Sequence, residues 1–154
     1  MDAAAVNAKA REIITRLCER FEGLRLRPYR CPAGVATIGL GSTRYEDGSA
    51  VRMTDAPITK GRAYALFNTM LETTYLPPVR KFCPASRDNA NLQAALGDFC
   101  YNLGPARLAG STLRRKINAG DIAGAKRELM KFTHGGGRVL KGLVVRRKAE
   151  AGLL

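Results

Sequence analysis

Apolar side chains recur at helical spacing over residues 6–21, as Val6, Ala10, Ile13, Ile14, Leu17 and Phe21, and Gly23 then offers a stop. The pattern predicts a helix that ends close to Glu22. Residues 28–54 change character, because Pro28, Pro32, Gly34, Gly39, Gly41 and Gly48 punctuate short runs such as Val35-Ala36-Thr37-Ile38. That is the signature of a small hairpin region rather than of helix. Helical spacing returns over 59–76, with Ala63, Leu66, Phe67, Met70 and Leu71 on one face, and Pro77-Pro78 is expected to end it. A further amphipathic stretch, 86–103, carries Leu92, Ala95, Leu96, Phe99 and Leu103, and Gly104-Pro105 stops it. Ser111 or Thr112 caps a short helix with Leu113 and Ile117. Gly120-Asp121 recaps the next, which carries Ile122, Ala125 and Leu129. Gly135-Gly136-Gly137 reads as a loop before a basic final helix with Val139, Leu140, Leu143 and Val144 as its apolar stripe.

The expected class is therefore α+β, mainly α. One domain spans residues 1–154, with a helical lobe (1–27 and 55–154) beside a small β lobe (28–54) and a cleft between them. The 154 residues suffice for a real core, and 45% apolar content is ordinary for a globular chain. No apolar run approaches the roughly 20 residues of a membrane span. Lys9, Arg11, Glu12 and Arg16 interrupt any secretory core near the N-terminus. The expected location is a cytoplasm, until something else releases the protein.

Charge changes the picture more than composition does. Twenty-six basic residues against 13 acidic ones give a net charge of +13, a field that favours polyanions such as nucleic acid, an anionic membrane or bacterial wall polymer. Much of the excess lies in the last helix, at Arg138, Lys141, Arg146, Arg147 and Lys148. Such a run reads as a solvated face, or as a surface that holds anionic wall or outer-membrane polymers. The four cysteines, Cys18, Cys31, Cys83 and Cys100, show no zinc spacing. Cys18 and Cys100 sit on helical stretches and read as buried apolar residues. His134, the one histidine, lies beside the glycine loop and reads as solvated. No metal site or cofactor is expected.

Glu22 is the residue with chemical promise. A carboxyl at the negative end of a helix is shifted toward its protonated form, and a proton donor is what glycosidic cleavage requires. Position alone leaves an ordinary surface glutamate as the plainer reading. The segments around it decide otherwise. Glu22-Gly23-Leu24-Arg25-Leu26, Pro28-Tyr29 and Gly34-Val35-Ala36-Thr37-Ile38-Gly39-Leu40-Gly41 resemble the phage lysozymes of glycoside hydrolase family 24, and Phe99-Cys100-Tyr101-Asn102-Leu103-Gly104 resembles a further element of that family. Residues 111–121 and 136–144 resemble its lambdoid-type endolysins, so the likeness spans roughly residues 12 to 150.

The resemblance implies a lysozyme-like fold and a muramidase. Such an enzyme hydrolyses the β-1,4 bond between N-acetylmuramic acid and N-acetylglucosamine in peptidoglycan. It also implies a monomer whose release to the wall depends on a holin. By the same resemblance Glu22 matches the general acid, Thr37 the residue that helps hold the attacking water, and Asn102 and Tyr29 candidate sugar contacts. Ser42 stands where many relatives have histidine, which suggests hydrogen-bonding support without a proton switch. Cys31 departs from the usual pattern, a carboxylate at that spacing. A thiolate can serve as base or nucleophile, and Arg30, Arg25 and Arg27 nearby favour one. An inert Cys31 beside a Glu22 that works alone is the alternative. Glu46 and Asp47 read as a solvated turn, yet they are the nearest carboxylates that could replace the missing one. Two other functions stay open on the sequence alone: a lytic transglycosylase, which needs one acid and no activated water, and a basic nucleic-acid-binding protein.

Overall fold

A computed structural model describes residues 1–154. The first helix, α1, runs Ala3–Glu22. Asp2 caps it by accepting the Ala5 N–H at 2.8 Å, and the Gly23 N–H closes it on the Glu19 carbonyl at 3.1 Å. Val6, Ala10, Ile14 and Cys18 form its buried stripe at four-residue intervals. The apolar spacing and the glycine thus place Glu22 on the last turn, with the chain leaving toward the hairpin.

That hairpin pairs β1 (Arg25–Arg30) with β2 (Ala36–Gly39) in antiparallel register, Tyr29 opposite Thr37 and Arg30 opposite Ala36. Arg25 lies opposite Gly39, so four steps along β1 face two along β2 and the strand bulges between Arg25 and Tyr29. Pro28 falls inside that bulge, where a missing N–H costs no ladder bond. The strand therefore starts at Arg25 and not at 28, since Pro28 marks the bulge rather than the beginning. Residues 40–59 are irregular, held by bridges at Ile38–Ser42 and Arg44–Ala50. Ile38, Val51, Ile58, Ala63 and Leu66 form the small core beneath them.

The helical part begins with α2 (Lys60–Met70), passes through one π turn (Leu71–Tyr75) and continues as α3 (Leu76–Phe82). Pro77 and Pro78 do not end a helix, as the sequence had suggested. They occupy the first turn of α3, where a helix leaves its N–H groups unused, and the π turn before them absorbs the break. A 3-10 turn at Pro84–Asp88 delays α4 to Ala90–Leu103, capped by Asn89. The short helices α5 (Pro105–Ala109), α6 (Thr112–Asn118) and α7 (Ile122–Leu129) follow, the last two capped by Ser111 and Asp121. The expected glycine loop is the turn of a two-residue hairpin, β3 (His134–Gly135) with β4 (Arg138–Val139), and α8 (Lys141–Ala151) ends the chain. No helix is long and apolar enough to cross a membrane.

α4 is the axis of the helical part. Every residue from Leu92 to Cys100 is buried, so the helix is covered all round rather than on one stripe. Gly97 eases this: a Cβ there would lie 2.6 Å from Ile14 Cδ1 and 3.0 Å from Leu76 Cδ2, so any other residue would push the ends of those side chains on α1 and α3 aside. Two apolar clusters flank α4. Ile14, Leu40, Phe67 and Leu76 lie in one, and Val79, Leu96, Phe99, Leu113 and Leu129 in the other. The last helix overturns its expected pattern. Val139 is exposed in β4, and the residues α8 buries are Arg146, Arg147 and Glu150.

Candidate active site

Glu22 meets a partner that its sequence neighbourhood does not reveal. Arg146 Nη1 donates to Glu22 Oε1 at 2.5 Å, while Oε2 has no hydrogen-bond partner within the protein. Arg146 is itself locked in place. Its Nε and Nη2 donate to the two oxygens of Asp98 at 2.8 and 2.9 Å, and its guanidinium lies between the Phe21 and Tyr101 rings, 5.3 and 5.8 Å from their centroids. The Arg146 and Asp98 side chains are 4% and 0% exposed, against 36% for Glu22. The carboxyl thus stands at the rim of a buried ion pair, with one oxygen tethered inward and the other free.

Burial raises the Asp98 pKa, but the hydrogen bonds and charge of Arg146 outweigh it and hold the carboxyl below its usual range. Asp98 and Glu22 in turn raise Arg146, against the downward pull of its own burial.

Cys31 sits at the tip of the β1–β2 hairpin. Its N–H donates to the Val35 carbonyl at 3.0 Å, and its own carbonyl accepts the Gly34 N–H at 2.7 Å. Its thiol pKa is lowered, chiefly by the Val35 backbone amide, with help from the Ala33 amide and the Thr37 hydroxyl. The expected cause was different. Arg25 stacks on the Tyr29 ring at 4.4 Å, and Arg30 Nη1 donates to the Gly34 carbonyl at 2.9 Å, so these cations are committed elsewhere. The tight turn aims N–H dipoles at the sulfur and does what the arginines were expected to do. The other cysteines behave oppositely. Burial pushes Cys83 up to about 11 and Cys100 up to about 12, and raises Cys18 further with the help of the adjacent Asp98 charge. All four thiols are free.

Thr37 is 2% exposed, and its hydroxyl donates to the Val35 carbonyl at 2.9 Å beside the Cys31 sulfur. Rotation of that hydroxyl offers the same proton to the sulfur. Tyr29 lies opposite Thr37 across the hairpin. Burial raises its pKa against the pull of Arg25, and the negative charges of Glu22 and Cys31 add to the rise. Tyr29, Cys31 and Thr37 therefore share the hairpin that follows Glu22. Tyr101 ties the hairpin to α4, its hydroxyl donating to the Leu40 carbonyl at 2.7 Å. Gly41 makes room for that bond, since a Cβ there would fall 1.9 Å from the Tyr101 oxygen.

The remaining candidates fare differently. Asn102 is half-buried at the end of α4, and its Oδ1 accepts from Arg147 Nη2 at 2.8 Å, while its amide nitrogen has no partner in the protein and is left for a sugar. Ser42 gives no hydrogen-bonding support. It is buried, and its hydroxyl has no partner in the protein, because the neighbouring bonds to Ile38 are made by its backbone. It lines a cavity of about 350 Å³, with Tyr45, Thr69, Thr73 and Tyr75, and Glu22 is not among the lining residues. Glu46 accepts two bonds from Arg62, and Asp47 caps Ser49, so neither stands in for the missing carboxylate. Arg146 and Arg147 are buried ion-pair members, which removes them from any polymer-binding face.

Arg146 reads in the sequence as part of a basic face, and Asp98 and Glu150 are not singled out there at all. The one available signal was Asp98 itself, an acid in the otherwise apolar run Ala94 to Cys100 except for Gly97. Such a residue requires a cation from elsewhere in the fold.

The Phage lysozyme family model matches residues 19–150. The SAR-endolysin of bacteriophage PS119 is 37% identical over 132 residues, 84% of this chain and 74% of that protein. The endolysin of Acyrthosiphon pisum secondary endosymbiont phage 1 is 32% identical over 142 residues, 89% of this chain and 91% of its own length. Among solved structures, the lysozyme of phage P22 superposes with a TM-score of 0.76 at 28% identity, covering 92% of this chain and 94% of that one.

Proposed function

The chain belongs to the phage lysozyme family, and from that membership we propose how its site works. It is an endolysin, a glycoside hydrolase that cleaves the β-1,4 bond between N-acetylmuramic acid and N-acetylglucosamine in peptidoglycan during host lysis. Neither transglycosylation nor nucleic-acid binding is favoured by this kinship. The whole chain, 1–154, acts as one catalytic domain and as a monomer.

Glu22 is the general acid. The observation that carries this is its divided carboxyl: Arg146 holds Oε1 from inside, and Oε2 is left to carry the proton to the glycosidic oxygen. As that bond breaks, positive charge develops on the sugar ring. Cys31 answers it as a thiolate, favoured by the turn amides around its sulfur. Thr37 supports that thiolate and the water beside it, and Tyr29 and the Asn102 amide nitrogen contact sugar. Ser42 serves the glycan only at the margin, from the cavity it lines. The enzyme waits in the host cytoplasm and reaches the wall once a holin opens the way. Exposed cations such as Arg138, Lys141 and Lys148, rather than Arg146 and Arg147, draw it to anionic wall or outer-membrane polymers.

Mass spectrometry of digested peptidoglycan tests the reaction class. Reducing muramic ends are expected, and anhydro-muramic ends would replace the hydrolase reading with a transglycosylase.

The role of Cys31 is tested by substitution and labelling. C31A is expected to clear walls about 100-fold more slowly, on the scale of a lost general base, and C31D to recover most of that. Iodoacetamide should inactivate the wild type by modifying Cys31 ahead of Cys18, Cys83 and Cys100, at a rate that rises with pH through a midpoint below 9.0, the value for an unperturbed thiol. Wild-type activity in C31A would end the thiolate reading. The anomer first released, read by proton NMR, then separates the two modes: inversion for a base, retention for a nucleophile.

A further inference from the structure

Three carboxyls and two guanidiniums meet where α1, α4 and α8 pack together: Glu22, Asp98, Glu150, Arg146 and Arg147. All but Glu22 are buried, with Asp98, Glu150 and Arg147 at 0% exposure and Arg146 at 3%. Arg146 joins Asp98 to Glu22. Arg147 Nη2 donates to Glu150 Oε1 at 2.8 Å and to Asn102 Oδ1 at 2.8 Å. Its Nε and Nη1 have no acceptor, and its guanidinium lies 5.3 Å from the Phe99 ring centroid.

One acceptor atom does not fit a fully ionised network. Glu150 Oε2 is buried and receives no hydrogen bond, and the Asp98 carboxyl is the acid that faces Glu150. Two ionised carboxylates side by side, both out of water, would repel each other. A single proton on Oε2 removes that difficulty. It converts the contact into a donor–acceptor pair. The proton belongs to Glu150 rather than to Asp98. Asp98 already accepts two bonds from Arg146 and one from the Cys18 thiol at 3.5 Å, all of which favour its anion, while Glu150 accepts only one.

We propose that Glu150 is a positioning residue for Glu22, a neutral hydrogen-bond donor that fixes Asp98 and, through it, the Arg146 guanidinium that holds Glu22 Oε1. The proposal rests on the reading of Glu22 as the acid. The charged neighbours of Glu150 divide, and burial decides between them. Burial and the Asp98 charge on α4 push its carboxyl well above the usual range, against the opposing pull of Arg147 and Arg146 on its own helix. Cys100 on α4 and Cys18 on α1 stay protonated and add no charge.

Two measurements on the full chain test it. With glutamate carboxyls labelled with carbon-13, NMR at pH 7 is expected to show a carboxyl at the protonated shift that is missing from E150Q and still present in E22Q. If E150Q loses no signal at the protonated shift, the proposal fails, whatever Glu22 turns out to do.

The second measurement is kinetic. Gln reproduces a protonated Glu, accepting from Arg147 and donating to Asp98, so E150Q should keep kcat and KM within about twofold. Met removes the donor at similar size, so E150M should lose about tenfold in kcat with KM little changed, as expected when a reacting group is misplaced but binding is intact. Wild-type kcat in a folded E150M, or an E150Q as impaired as E150M, would overturn the positioning role. If E150M does not fold, the carboxyl signal and E150Q still decide the matter. Loss of the Glu22 assignment would appear separately, as an active E22Q.

Discussion

E22Q is expected to fold as the wild type does and to clear bacterial walls about 10²–10⁴-fold more slowly, the range a general acid contributes. The substitution is informative because it changes so little else. A glutamine Oε1 still accepts from Arg146 Nη1, so the Asp98–Arg146 pair and the end of α1 keep their places. What is lost is the transferable proton at Oε2. The effect should therefore fall on kcat, with wall binding nearly unchanged, because the proton is delivered in the transition state and not in the bound ground state. Turbidity assays under matched protein concentration and a pull-down on isolated walls measure the two separately. An E22Q enzyme that clears walls within tenfold of the wild type would remove Glu22 from the acid role.

R146M should damage stability and activity together. Asp98 is fully buried and its charge is met chiefly by Arg146, so removal of the guanidinium leaves an uncompensated carboxylate inside the protein. Losses of about 3–5 kcal/mol follow from breaking one side of a buried pair, or roughly 10 °C in Tm for a chain of this size. The pH dependence has a definite sign. In the wild type the Asp98 pKa is depressed, so its contribution is present at neutral pH and is lost as pH falls through the folded value. In R146M the lone carboxylate favours its neutral form instead. The stability gap between variant and wild type should be widest near neutral pH and should narrow as pH falls toward the ordinary carboxylate range. Thermal melts between pH 4 and 7 measure this. A gap that stays constant would show that Asp98 draws its support elsewhere. The double variant with D98N should recover part of the loss, since it removes the stranded charge as well.

The two halves of the site differed in how far the sequence exposed them. Glu22, Tyr29, Cys31 and Thr37 lie within sixteen consecutive positions, on a helix end and a hairpin whose boundaries apolar spacing, Gly23 and the Pro and Gly punctuation mark out. Local signals sufficed there because the elements are local. Even so, the sequence credited the arginines with activating Cys31, whereas the backbone amides of the 31–35 turn face the sulfur. Turn geometry at that scale depends on dihedral angles that residue types only bias. Ser42 shows the same limit, since its position in the chain said nothing of whether a partner would lie beside its hydroxyl.

Arg146, Asp98 and Glu150 could not be found this way. Asp98 is 48 positions from Arg146, and Arg146 is 124 from Glu22. A run such as Val145-Arg146-Arg147-Lys148 reads as a solvated face because charged residues are rarely buried, and only a partner fixed in three dimensions reverses that expectation. The sequence by itself determined the order of the elements, the helix-end place of Glu22 and the presence of a thiol at Cys31. Only the tertiary structure decided what holds Glu22 still. A charge inside a protein is tolerated only where its counter-charge also lies, and that meeting of α1, α4 and α8 exists only once the chain has folded.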